Sequence, residues 1–164
     1  MTDHMTCDER FIALAAELDY DIYGESTSGW HFEPLVRHNN ELYVSGLIPL
    51  KHGKVQYPGR VGLELTPADA QVAASICAMR GLALIVETIG SLDKIKSLLR
   101  ITVYIKSTAD FADLAEVANG ASDVFRHVLG DAGKHTRVTI GVYQLSKNAA
   151  VELDMIVALR PPAL

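Results

Sequence analysis

The stretch that most limits the fold is "TPADAQVAASICAMRGLALIVETIG", from Thr66 to Gly90. Thr66 is a helix N-cap, Pro67 suits the first turn, Asp69 complements the helix dipole, and Gly90 is a natural stop. The helix between them is Ala-rich and nearly apolar on most sides. Such a helix needs cover on several sides at once, which predicts that it packs on a sheet. A chain of 164 residues, 49% hydrophobic and 21% charged, suits one domain with a proper core. The longest apolar-rich run lies within Leu82–Ile89 and is interrupted by Glu87. That is short of the roughly 20 apolar residues of a membrane span, so no membrane role is expected.

The remaining elements follow from periodicity and punctuation. "CDERFIALAAEL" places Phe11, Ile12, Leu14, Ala15 and Leu18 on one helical stripe. "DIYGESTSGWH" reads as a loop. "FEPLVRH" and "ELYVSGLIPL" read as two strands joined at Asn39-Asn40, where asparagine tolerates the left-handed conformation of a tight turn. "KHGK" is a further turn, followed by a Gly/Pro-punctuated loop to about Leu63. "IKSLLRITVYIK" is a β-branched strand, and "STADFADLAEVANGASDVFRHVLG" a second helix or helix pair with Ser107 or Thr108 as its cap. Two strands in "HTRVTIGVYQLSKNAAVELDMIV" close the chain. The order is that of a mostly antiparallel α+β sandwich, with the two later helices on one sheet face and an N-terminal helix beside them. The whole chain, 1–164, reads as a single domain, with 1–30 a helix-and-loop extension and 31–160 the core.

Charge and cysteine content exclude some roles. The net charge of −5 comes with no basic run; Lys94, Lys96, Arg100 and Lys106 are scattered. Nucleic-acid affinity rests on neutralising phosphates, so no nucleic-acid partner is expected. Cys7 and Cys77 have no motif spacing and read as free thiols of a reducing compartment, Cys77 as a buried small apolar residue. The start "MTDHMTCDER" lacks the basic and apolar regions of a secretory signal, which gives a cytoplasmic expectation. His38, His52 and His127 lack metal-like spacing, and no metal is expected.

The closing strands hold the chemistry. Val138, Ile140 and Val142 alternate with Arg137, Thr139 and Gly141; Val151, Leu153 and Met155 alternate with Glu152 and Asp154. Read as a hairpin matched apolar to apolar, Val138 faces Leu153 and Ile140 faces Val151, which sets Arg137 opposite Asp154 and Thr139 opposite Glu152. Two readings of this polar face stand open. It is a surface ion pair contributing about 0–1 kcal/mol, or it is covered by another subunit and Arg137 grips a bound carboxylate with its fork.

Five stretches together resemble the Rid family, also called YjgF, of reactive-intermediate imine deaminases. They are "FEPLVRHNNELYVSG", "GSLDKIKSLLRITVYI", "DFADLAEVANGASDVF", "HTRVTIGV" and "LSKNAAVELDMI", in order and at the family's spacing between about His31 and Arg160. The "NGASDVF…LGDAGKHTR" form and the N-terminal helix resemble a longer branch of it. The resemblance implies a chorismate-mutase-like homotrimer with sites in clefts between chains. It implies hydrolysis of 2-imino or enamine acids to 2-oxo acids and ammonia with no cofactor. On this reading Arg137 clamps the substrate carboxylate and Glu152 handles protons. Phe32, Ser45, Gly46, Asn119 and Thr139 line the substrate site. The family's first-strand tyrosine is Phe32 here, which lacks a hydroxyl. Val138, Thr139 and Ser146 stand where the family often has a small polar residue, a Cys or small residue, and a proline.

Other residues have plainer readings beside these. Asn119-Gly120 is a helix break or bulge, or a ligand contact. His135 is a solvent-exposed strand end. The Ser45 hydroxyl satisfies backbone, and Trp30 anchors its loop or makes the pocket more aromatic. Two other functions remain: a non-catalytic trimer that binds small carboxylates, and an endoribonuclease, which the acidic charge disfavours.

Overall fold

The computed structural model of the chain describes residues 5–25, 27 and 30–162; Ser26, Ser28 and Gly29 of the expected loop lie outside the described residues. Helix α1 (Cys7–Glu17) opens on a capping box in which the Thr6 hydroxyl accepts from the Glu9 N–H and the Glu9 carboxylate accepts from the Thr6 N–H. It buries Phe11 and Ala15. The Asp8 carboxylate accepts from the Ser91 hydroxyl at 2.6 Å and the Leu92 N–H at 2.7 Å, and Arg10 Nε donates to Val128 O at 2.8 Å.

Strands β1 (Leu35–His38) and β2 (Glu41–Leu47) form the expected hairpin, with Asn39 at φ 54°. A small second ladder joins β3 (Leu50–Lys51) to β4 (Lys54–Val55) through His52 and Gly53, both at positive φ. Helix α2 (Pro67–Ile89) has the expected Thr66 cap, made reciprocal by Asp69, and Gly90 ends it at φ 87°. By length and composition α2 would also fit a membrane, but most of its apolar surface is covered by the sheet and by α3 (Leu114–Leu129).

The large sheet has the order β1-β2-β7-β5-β6, with β5 spanning Ile95–Lys106, β6 Thr136–Val142 and β7 Val151–Leu159. This corrects the closing hairpin. β6 does not pair with β7; it runs parallel to β5, and β7 lies antiparallel between β5 and β2. The physical reason is the β5–α3–β6 order, a strand–helix–strand unit whose crossover returns the chain parallel to its start. The faces change as well. Arg137 is aligned with Ile101 and Thr139 with Val103, both fully buried, so Arg137 and Thr139 lie on the helix-covered side. Val138 and Ile140 lie on the open face with Thr102, Tyr104, Glu152 and Asp154, and are 36% and 39% exposed. Across the same face Val36 and Tyr43 are also exposed, which leaves an apolar sheet surface without cover in a single chain.

Two smaller expectations also change. α3 begins at Leu114, so neither Ser107 nor Thr108 caps it; Arg60 Nη1 donates to Ser107 O and the Thr108 N–H donates to Val61 O, which holds this segment on the preceding loop. α3 runs unbroken through Asn119-Gly120. Gly120 is there because a Cβ would collide with the Gln71 carbonyl of α2, so its role is close helix approach.

Candidate functional site

β2 and β7 lose register between Val44 and Leu47, a bulge containing Ser45 and Gly46. Gly46 thereby lies directly against the Glu152 side chain, and a Cβ there would collide with Glu152 Oε1. Glu152 stands on the wall of a cavity of about 620 Å³ whose other walls include Trp30, Phe32, Ile48, His52 and Arg80. Burial, and secondarily the charge of Asp154, raise the Glu152 carboxyl above the usual glutamate range. Asp154 accepts from the Tyr104 hydroxyl at 3.0 Å, so it is held by a phenol and not by Arg137.

The N-terminal extension closes one side of this cavity. Glu25 Oε1 and Oε2 both accept from the Gly53 N–H at 3.2 Å, and Lys51 Nζ donates to Leu18 O at 2.8 Å. Trp30 stacks at a tilt on Phe32, ring centroids 5.0 Å apart. The loop before β7 supplies another side through Ser146 and Lys147. Lys147 and Asn148 both have positive φ, and Asn148 Oδ1 accepts from buried Lys106. Ser45 does not line this cavity; its hydroxyl donates to Glu33 O at 2.8 Å, as the plain reading held.

Arg137 lies elsewhere. Its Nη1 donates to Asn119 Oδ1 and to Ser122 Oγ, each at 2.9 Å, and its Nη2 to Ala115 O at 3.4 Å. All three acceptors are neutral, and among the described residues Arg137 has no carboxylate partner. It borders an open cleft of about 540 Å³ with Asn119, Ser122, Asp123, Arg126 and His135. His135 is not a free strand end. Since Ser122 Oγ accepts from Arg137, it donates onward to His135 Nε2 at 3.0 Å, and His135 Nδ1 donates to Gly133 O at 2.6 Å. Thr139 shares the helix-side face of β6 with Arg137.

Phe32, Gly46 and Glu152 therefore come together in one place and Arg137 and Asn119 in another, with Thr139 on the Arg137 face of β6 but outside the cleft lining. Within one chain β5 separates them by two strand spacings, about 10 Å, and they lie on opposite faces. Sequence reasoning missed Arg80, His52 and Lys147 in the cavity. Arg80 carried a readable signal, as the one charged side chain within "ICAMRGLALIV". Among the described residues no group of three or more metal-ligating side chains is gathered.

Known proteins share this fold. The family described as "YjgF/chorismate_mutase-like, putative endoribonuclease" matches residues 4–157. Protein TCP17 of Trypanosoma cruzi is 37% identical over 120 residues, covering 73% of this chain and 75% of that protein. The solved structure of Atu1372 from Agrobacterium tumefaciens, a protein of unknown function, superposes with a TM-score of 0.86 at 32% identity, covering 94% of this chain and 95% of the other. Escherichia coli TdcF with bound serine superposes with a TM-score of 0.55 at 24% identity, covering 80% and 90%. With its α+β fold, its mostly antiparallel sheet and its two-helix layer, this chain belongs to the Rid/YjgF family.

Proposed function

We propose that the protein is a cofactor-independent imine/enamine deaminase that converts 2-imino acids to 2-oxo acids and ammonia. The observation that carries this reading is the half-buried Glu152 carboxyl, raised in pKa and set against the Gly46 backbone on a cavity wall. A carboxyl held above its ordinary range keeps its proton more readily and can both give and take one within a turnover. In its protonated form it donates to the imine nitrogen, which makes the C=N carbon more electrophilic. Water adds to that carbon, and the resulting carboxylate takes the proton the water loses. The carbinolamine then collapses: the reprotonated Glu152 gives its proton to the amine, the C–N bond breaks with release of ammonia, and the hydroxyl proton passes to the Glu152 carboxylate as the C=O forms. Water supplies the oxygen, and no redox step or cofactor is needed.

Substrate anchoring falls to Arg137. Its guanidinium is positioned by neutral oxygens, so its charge remains available to an anion. Because Arg137 and Glu152 line different cavities of one chain, we propose that the complete site forms between copies, as a homotrimer closed over the open sheet face. Arg137 of one copy then meets Glu152 of the next. The uncovered Val138, Ile140 and Tyr43 support that assembly. The net charge of −5 weighs against RNA as substrate.

The test is ammonia or 2-oxo acid release from an imino acid generated in situ. Clear acceleration by the parent protein and none by Arg137→Ala is expected. Equal rates with both proteins would sink the assignment. Binding of 2-oxo acids with no turnover of any imine would make the protein a carboxylate-binding trimer instead.

A further inference from the structure

Arg80 has no part in the chemistry above, yet it is the most deeply placed charge in the Glu152 cavity. Its residue is only 5% exposed. It enters from the middle of α2 and borders the cavity shared by Trp30, Phe32, His52 and Glu152. Nη1 donates to Ile48 O at 2.9 Å, and its Cζ lies 5.6 Å from the Trp30 ring centroid. These contacts fix the direction of the guanidinium but do not neutralise it. Among the described residues no carboxylate lies within ion-pair distance of it. Glu25, the acidic neighbour on the same cavity wall, accepts from the Gly53 N–H with both oxygens and acts on Arg80 only from beyond ion-pair distance.

A guanidinium this buried is costly without an anion, and a planar fork is the group that best receives a carboxylate. A simple monocarboxylate imine brings one carboxylate, which Arg137 of the adjoining copy takes. Arg80 and Glu152 line one cavity, so a substrate whose imine carbon meets Glu152 would extend its far end into the space that Arg80 borders. Lys147 and His52 line the same cavity and add nitrogen donors to its walls.

We propose that Arg80 is a specificity-determining residue that binds a second, distal carboxylate, so that the favoured substrates are 2-imino or enamine dicarboxylic acids. This rests on the deaminase reading for its chemistry but on the cavity alone for the anion site. The reaction that supplies such a substrate is two-electron oxidation of an acidic amino acid by an oxidase or dehydrogenase with its own electron acceptor, or β-elimination of water from an acidic amino acid that also carries a β-hydroxyl.

The experiment compares two imines, one formed in situ by an amino-acid oxidase from aspartate or glutamate and one from 2-aminobutanoate. It uses the full-length protein and its Arg80→Gln and Arg80→Lys variants. In parallel, calorimetry measures binding of 2-oxoglutarate and 2-oxobutanoate. The parent protein is expected to prefer the diacid by about 10- to 100-fold in kcat/KM, the reach of one charge-assisted hydrogen-bonded pair. Arg80→Gln should collapse that ratio toward one, and Arg80→Lys should restore part of it. An equal loss for both substrates, or a parent protein with no diacid preference, overturns the proposal, and the second result does so even if Arg80→Gln fails to fold. If no imine is turned over but 2-oxoglutarate binds in an Arg80-dependent way, the distal anion site stands and the deaminase reading falls.

Discussion

The two arginines of the site regions occupy opposite situations. Arg80 is enclosed by its own chain, with an aromatic ring beside it and one backbone oxygen to orient it. Arg137 lies on an edge strand, held on one side by Asn119, Ser122 and Ala115 and open on the other. Glu152 belongs to the first region. The difference separates a cavity that the chain encloses from a cleft that it leaves open. On the proposed reading the proton-handling group and its cavity are built by one chain, whereas Arg137 borders an open cleft where a second copy would use it.

The sharpest way to break this contrast is to prevent the neighbour from arriving. Ile140→Asp puts a charge on the open sheet face and is expected to leave a folded monomer without activity. Sedimentation velocity and ammonia release check it together, and an active monomer would show that one chain suffices. Next in size is Glu152→Gln, expected to lower kcat about 100- to 10,000-fold with little change in KM. Arg137→Lys keeps the charge but loses the fork, and should cost about 10- to 100-fold in kcat/KM, mainly through KM. Asn119→Ala removes one of the acceptors that aim Arg137 and should raise KM about fivefold; no change would mean that Ser122 alone positions it.

The smallest effect is on stability. Burial raises the Glu152 pKa above its ordinary 4.5, so the folded state keeps a proton that the unfolded chain has released. Stability therefore falls as pH rises from that ordinary value through the raised one. Glu152→Gln escapes this loss. Its melting temperature should exceed the parent's by about 1–3 °C at pH 8, and the gap should close near pH 4. A gap that is independent of pH would assign the difference to packing.

The legibility of the sequence follows the range of the interactions involved. α2 was readable from Thr66, Pro67, Asp69 and Gly90, because caps act within one turn. The β1–β2 hairpin was readable from Asn39 for the same reason. The neighbour of β6 was not. Period two fixes which side chains share a face, but not which strand lies alongside nor which face is covered. Matching Val138 to Leu153 was self-consistent and still wrong, because α3 carries β6 to the far side of β5. The same inversion took Arg137 off the Glu152 face. Ser107 and Thr108 failed as caps because long-range bonds to Arg60 and Val61 engage their backbone. Arg80 was visible as a lone charge in an apolar helix, but only the fold shows that it points into the cavity and not along the helix layer.

The segment before β1 has a consequence of its own. Through Glu25 on the Gly53 amide and Lys51 on the Leu18 carbonyl it is fastened to the β3–β4 ladder, and with Trp30 it roofs the Glu152 chamber. Tyr20 of that segment is buried in the core, whereas Glu25, Trp30 and Phe32 line the cavity. Substituting Glu25, Trp30 or Phe32 would thus change what size of molecule the chamber admits while the core residues of the same segment stay in place, which makes these wall positions the place where selectivity can evolve most freely.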